Sequence, residues 1–151
     1  MIKYKNNSDL EGMTAAGKIL GNVFKEIRTA IKVGVSCSYL DDMARRLIRD
    51  FGAEPGFLGY RGYKYSTCIS KNEEVVHGIP YSDKILFPGD ICSIDIGVKY
   101  KGYYADAART FIVDQVDPLI HSLVTVTRDS FFEALKYAYP GNRIGDVSNA
   151  L

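Results

Sequence analysis

Between residues 10 and 31, Leu10, Met13, Gly17, Leu20, Phe24, Ile27 and Ile31 recur at spacings of three and four. That period puts them on one face of an amphipathic helix. Ser8 and Glu11 stand at capping-box spacing, which makes Ser8 the predicted N-cap, and Gly34 marks the predicted end. A second stripe, Leu40, Met43, Ala44, Leu47, Ile48 and Phe51, predicts a helix from about Ser38 to Phe51, stopped by Gly52. Helical period then disappears in "AEPGFLGYRGYK", residues 53 to 64, which predicts a loop with a short extended piece. "YSTCIS" predicts a strand, and "KNEEVVHGIP" leaves it and ends at Pro80. After a turn at "FPGD", residues 91 to 98 and 103 to 113 alternate as two strands joined around "YKG". Asp117 and Pro118 start a third helix carrying Leu119, Ile120, Leu123, Val124, Phe131 and Leu135, with its end set at Pro140-Gly141. Asn142 is the predicted cap of a fourth, whose apolar face begins with Ile144 and Val147 and stops at Leu151. A helix that short is marginal alone, so the expectation is a cut inside an element rather than a frayed tail.

Composition narrows the class. The 151 residues suit one domain, and 46% hydrophobic with 25% charged residues is an ordinary globular balance. A formal charge of +1 leaves no broad basic field for nucleic acid. No apolar run reaches the roughly 18 residues of a membrane helix, and the opening "MIKYKNNSDLEGM" has no apolar signal core. Cys37, Cys68 and Cys92 are few and scattered with no CxxC pair, which favours reduced thiols and a cytoplasmic location over a disulfide framework or zinc ribbon.

Against this background "SIDIGVKYKGYYADAART", residues 93 to 110, is unusual in placing Asp95 and Asp106 within strands, where Asp is depleted. A hairpin symmetric about Tyr100-Lys101 sets the two directly opposite, with Cβ atoms ~5 Å apart; a bulge at Gly102 would shift that register by one. Cys92, Ile94, Ile96 and Val98 form the expected core face, and Asp95 shares the other face with Ser93 and Gly97. Small residues Ala105, Ala107 and Ala108 leave room around Asp106. Two readings stay open: a solvated sheet face, or a site where carboxylates hold divalent ions, Mn, Fe, Co, Zn or Mg, that activate water. His77 lies in a loop and is a candidate for chemistry or a plain surface residue; His121 is expected on a helix surface. Tyr60 and Tyr63 suit either packing or the wall of a small apolar pocket, and Cys68 is expected to be a buried filler.

"EGMTAAGKIL", "GYRGYKYSTCISKNEEVVHGIP" and "GDICSIDIGVKYKGYYADAARTF" together resemble, in order and spacing, the N-terminal half of type I methionine aminopeptidases. The resemblance runs from about residue 8 to Leu151. It implies the α+β pita-bread fold, with helices covering one side of a curved antiparallel sheet, and residues 1–151 as the N-terminal portion of a single catalytic domain. It implies that Asp95 and Asp106 bind metal, Asp95 bidentate to one ion and Asp106 bridging a pair, the ions being Co, Mn, Fe or Zn. His77 matches the family histidine that contacts the scissile amide. Phe57, Tyr60, Tyr63 and Cys68 match positions around the methionine side chain. Phe57 stands where bacterial members often carry cysteine, which narrows that wall, and Lys64-Tyr65 replaces the usual Pro-Lys. The implied reaction removes initiator methionine from peptide or nascent-protein N-termini, in association with the ribosome. The family's remaining ligands, one His and two Glu, belong to a second half beyond Leu151. The 151 residues are therefore expected to be inactive alone. A non-catalytic pita-bread binding module and a proline-specific peptidase are the competing readings.

Overall fold

The computed structural model describes residues 4–151. Helix α1 spans Asn7–Ala30 and helix α2 spans Cys37–Asp50. The two-residue strand β1 is Glu54–Pro55, followed by β2 (Thr67–Lys71), β3 (Ile91–Tyr100) and β4 (Tyr103–Ile112). Helices α3 (Pro118–Leu135) and α4 (Ile144–Ala150) complete the chain. The residues fall into two compact units, Met1–Gln115 and Val116–Leu151.

The first helix starts earlier than its pattern suggests. Asn6, not Ser8, is the N-cap: its side chain accepts from the Asp9 amide at 2.9 Å, and Asp9 accepts from the Asn6 amide at 3.0 Å. The run Asn6-Asn7-Ser8-Asp9 offers a second capping box two residues upstream, and its Asp9 is also tied to β4. The Tyr103 hydroxyl donates to Asp9 at 3.2 Å, and its ring lies on Gly12, where a Cβ would come within 2.2 Å. The buried stripe is Ala16, Leu20, Val23, Phe24 and Ile27, while Leu10, Met13 and Gly17 stay exposed. Helix α2 is capped by Ser36 rather than begun at Ser38, and buries Leu40, Ala44 and Ile48 as its stripe requires.

In the sheet β3 is central. β4 lies along one edge, and β2 and β1 share the other; all pairings are antiparallel. Cys92, Ile94, Ile96 and Val98 are fully buried on the face that meets α1 and α2, as their alternation predicts. With Leu20, Val23, Ile27, Leu40, Ile48, Ile69 and Leu86 they make one contiguous core. Each such side chain stabilises the fold by roughly 1.5–3 kcal/mol through burial.

The second unit opens as predicted, with Asp117 accepting from the Leu119 amide at 2.8 Å and Pro118 in the first turn. Helix α3 ends at Leu135, five residues short of Pro140. There the chain tightens into i→i+3 bonds, Tyr137 to Ala134 and Ala138 to Leu135, so the last turns are no longer α-helical. Arg143, not Asn142, caps α4: the Arg143 backbone amide donates to Asp146 at 2.7 Å, while the Asn142 side chain donates to the Tyr137 carbonyl at 3.0 Å. No helix among the described residues is long and apolar enough to cross a membrane.

Candidate active site

The face of the sheet turned away from α1 and α2 carries the candidate residues. From β3 it presents Ser93, Asp95 and Gly97. Opposite them on β2 stand Ser70 and Cys68, and on β4 Thr110, Ala108 and Asp106. Asp95 and Asp106 are not directly opposed: Asp95 faces Ala108, and Asp106 faces Gly97. The reason is the turn. Lys101 and Gly102 both adopt positive φ, 50° and 86°, and form a two-residue hairpin turn closed by Tyr100 and Tyr103. Centring on Lys101-Gly102 instead of Tyr100-Lys101 slides the pairing by two residues. A slide of two preserves the face, so the aspartates become diagonal neighbours on one surface. No bulge forms at Gly102.

The diagonal pair interacts. Asp95 has its carboxyl pushed up to about 6, chiefly by burial, then by the negative charge of Asp106 and a hydrogen bond to it. His77 and the Ile96 amide pull in the opposite direction. Among the described residues no group of three or more His, Cys, Asp and Glu side chains converges.

Phe57 closes one side. A Cβ on Gly97 would sit 2.5 Å from the Phe57 ring, so glycine there lets the ring close on β3 at the position paired with Asp106. The loop is pinned by the Gly56 amide, which donates to the Gly97 carbonyl at 2.7 Å. Tyr63 and Cys68 form another side. The Tyr63 hydroxyl donates to the Thr67 carbonyl at 2.8 Å, and the Cys68 thiol donates to that hydroxyl at 3.4 Å. Burial raises the pKa of both groups, and the charges of Asp95 and Asp106 add to the effect at Cys68. Cys68 is a buried filler, as expected, and it sits directly across from Asp95. Tyr60 stands apart: it is 66% exposed in a 3-10 turn, with the Arg61 guanidinium 5.5 Å from its ring centre.

His77 is exposed at the edge of β2 with φ of 57°, a left-handed conformation that needs external support. Gly78 supplies it. The Ile69 amide donates to the Gly78 carbonyl at 2.8 Å, and the Gly78 amide donates to Ser70 Oγ at 3.0 Å. A Cβ on Gly78 would lie 2.3 Å from the Ile69 carbonyl oxygen, so only glycine approaches this closely. Glu74 braces the same loop, accepting from the Lys71 amide and from Lys84 Nζ, both at 2.8 Å; hydrogen bonding holds its pKa down against the opposing effect of burial. His121 lies exposed on α3, as expected.

One functional candidate escapes sequence reasoning. Asp41, on α2, is 1% exposed and gathers donors from the start of β2. Its only sequence signal is its place beside Leu40 on the buried stripe, four residues before Arg45.

A helix-backed antiparallel sheet with a carboxylate pair on its free face defines a candidate divalent-cation site. Residues 11–151 match the model of metallopeptidase family M24, and the chain belongs to that family. Its fold is the family's pita-bread fold. Across all 151 residues the chain is 42% identical to the methionine aminopeptidase of Clostridium acetobutylicum and 42% identical to methionine aminopeptidase 1 of Bacillus subtilis, spanning 60% of each. It superposes on the crystal structure of methionine aminopeptidase from Thermotoga maritima with a TM-score of 0.97, at 42% identity, over 99% of this chain and 60% of that one. The chain thus spans about three-fifths of the length of the relatives it matches.

Proposed function

We propose that this chain supplies the substrate-pocket side and two metal ligands of an aminopeptidase that removes N-terminal methionine. The observation that carries the reading is the Asp95–Asp106 pair: two carboxylates held on one face, close enough to raise the Asp95 pKa. Such a pair is a poor arrangement for two anions and a good one for divalent cations. Oxygen donors of this kind suit Mn, Fe, Co or Zn, and Asp95 and Asp106 are the residues that would hold such ions. When bound, the ions polarise the scissile carbonyl and activate water.

The chain's own residues bind and orient. Phe57, Tyr63 and Cys68 wall the slot beside the carboxylates and take the methionine side chain, with Tyr60 at its outer rim. His77 reaches from the Gly78 anchor to hydrogen-bond the scissile amide. The substrates are peptides and nascent proteins presented at the ribosome in the cytoplasm, and a His and two Glu beyond Leu151 complete the ligand shell. The test joins binding to turnover. Calorimetry with Mn should show uptake by the protein and its loss in Asp95→Asn and Asp106→Asn. A Met-Ala-Ser peptide should be cleaved by the protein extended to the length of its relatives. Mn uptake unaffected by both substitutions would overturn the metal assignment.

A further inference from the structure

The wall formed by Tyr63 and Cys68 hangs from one point. Thr67, the first residue of β2, accepts the Tyr63 hydroxyl on its carbonyl, and Cys68 follows it directly. Thr67 itself is held by Asp41. One carboxylate oxygen, Oδ1, accepts from the Ser66 amide, the Thr67 amide and the Thr67 hydroxyl, each at 2.8 Å. The other, Oδ2, accepts from Arg45 Nη2 at 2.9 Å, while Arg45 Nε donates to Ser66 Oγ, also at 2.9 Å. Ser66 and Thr67 are both fully buried.

Stability alone does not account for this arrangement. A carboxylate taken out of water loses hydration that its partners only repay with good geometry, and apolar packing would tether α2 to β2 without that loss. What the carboxylate adds is direction: three donors converging on one oxygen fix both the backbone and the hydroxyl of Thr67. We propose that Asp41 is a positioning residue, which fixes the start of β2 from within α2 and so sets where the Tyr63–Cys68 wall stands relative to Asp95. This rests on the reading of that wall as part of the substrate pocket. Asp41 touches neither the carboxylate pair nor the slot; it acts through Thr67.

The chain's cysteines make the test local. Cys68 lies in the wall, and Cys37 and Cys92 lie in the hydrophobic core, all three unoxidised. The rate of iodoacetamide labelling, resolved residue by residue by mass spectrometry on the full chain, therefore separates a moved wall from a loosened fold. Asp41→Ala should speed Cys68 labelling by about tenfold through local opening, with Cys37 and Cys92 as protected as in the wild type. Asp41→Asn keeps an acceptor at Oδ1 and should stay within about threefold of the wild type. Thr67→Val removes one donor without changing shape, should fall between them, and decides the matter if Asp41→Ala does not fold. Equal acceleration at all three thiols would reduce Asp41 to a structural tether, and unchanged Cys68 labelling in Asp41→Ala and Thr67→Val would overturn the proposal. In peptide hydrolysis by the protein at the length of its relatives, Thr67→Val should raise KM for Met-Ala-Ser while kcat stays nearly constant. A wild-type protein of relatives' length that cleaves no methionyl peptide would refute the pocket reading and leave the thiol result intact.

Discussion

Replacing Asp106 by Asn removes the charge that Asp95 faces across the diagonal, and its effect on metal-free protein can be worked out with its sign. Asp95 rises from 3.8 to about 6 on folding, so it holds its proton more tightly in the folded chain than in the unfolded one. Below about pH 3.8 both states are protonated and the group costs nothing. As pH climbs from about 4 to about 6 the unfolded chain ionises first, and folding stability falls; above about 6 the loss is complete. A rise of about two pH units is equivalent to ~3 kcal/mol at full value. Asp95 is only half-buried, and solvent screening brings the expected loss down to about 1 kcal/mol. Burial is the larger cause and Asp106 the next, so Asp106→Asn should recover about 0.5 kcal/mol at pH 7.5 and nothing at pH 4. Urea unfolding in EDTA at several pH values measures this directly. Adding Mn should then stabilise the wild type and leave Asp106→Asn unchanged. A variant destabilised equally at both pH values, or a wild type whose stability is flat from pH 4 to 7, would refute the reasoning.

Gly97→Ala places a methyl 2.5 Å from the Phe57 ring; it should cost roughly 1–3 kcal/mol in thermal unfolding and displace the ring from the slot, visible as altered Phe57 NMR shifts. Gly78→Ala meets the immobile Ile69 carbonyl, so it should free the His77 loop, raising amide exchange at Gly78 and Ile69 by about tenfold or more. Asn6→Ala should lose about 1 kcal/mol of stability through the N-cap, whereas Ser8→Ala should change the same denaturation midpoint by less than about 0.3 kcal/mol. Ile96→Ala, fully buried on the core face of β3, should destabilise by about 2–5 kcal/mol.

What sequence can say here depends on whether the deciding force is local. The alternation Cys92, Ile94, Ile96, Val98 announces a half-covered sheet, and the buried face follows it residue for residue. The pairing of α1 with β4 is another matter. Asn6 and Ser8 both head valid capping boxes, and the one used has its Asp9 also bonded to Tyr103, nearly a hundred residues away. The hairpin register turns on Lys101 accepting a left-handed conformation, which a lysine does not advertise. Because the slide was by two, the shared face of Asp95 and Asp106 was legible even though their direct opposition was not. Tyr60 and Tyr63 look alike in "GYRGY", but only Tyr63 finds acceptor and thiol partners within β2. Asp41 was hidden because a carboxylate on a helix reads as solvated until the strand that fills it is known.

The tip made by Lys101 and Gly102 also restricts how this hairpin can change. Were β4 to slip by one residue along β3, Asp106 would turn to the opposite face, toward the layer beneath α1. An added residue at that tip is harmless where the loop itself absorbs it, as a three-residue turn with a bulge does. A slip of the strand, by contrast, would turn a carboxylate of the free face into a stranded buried acid.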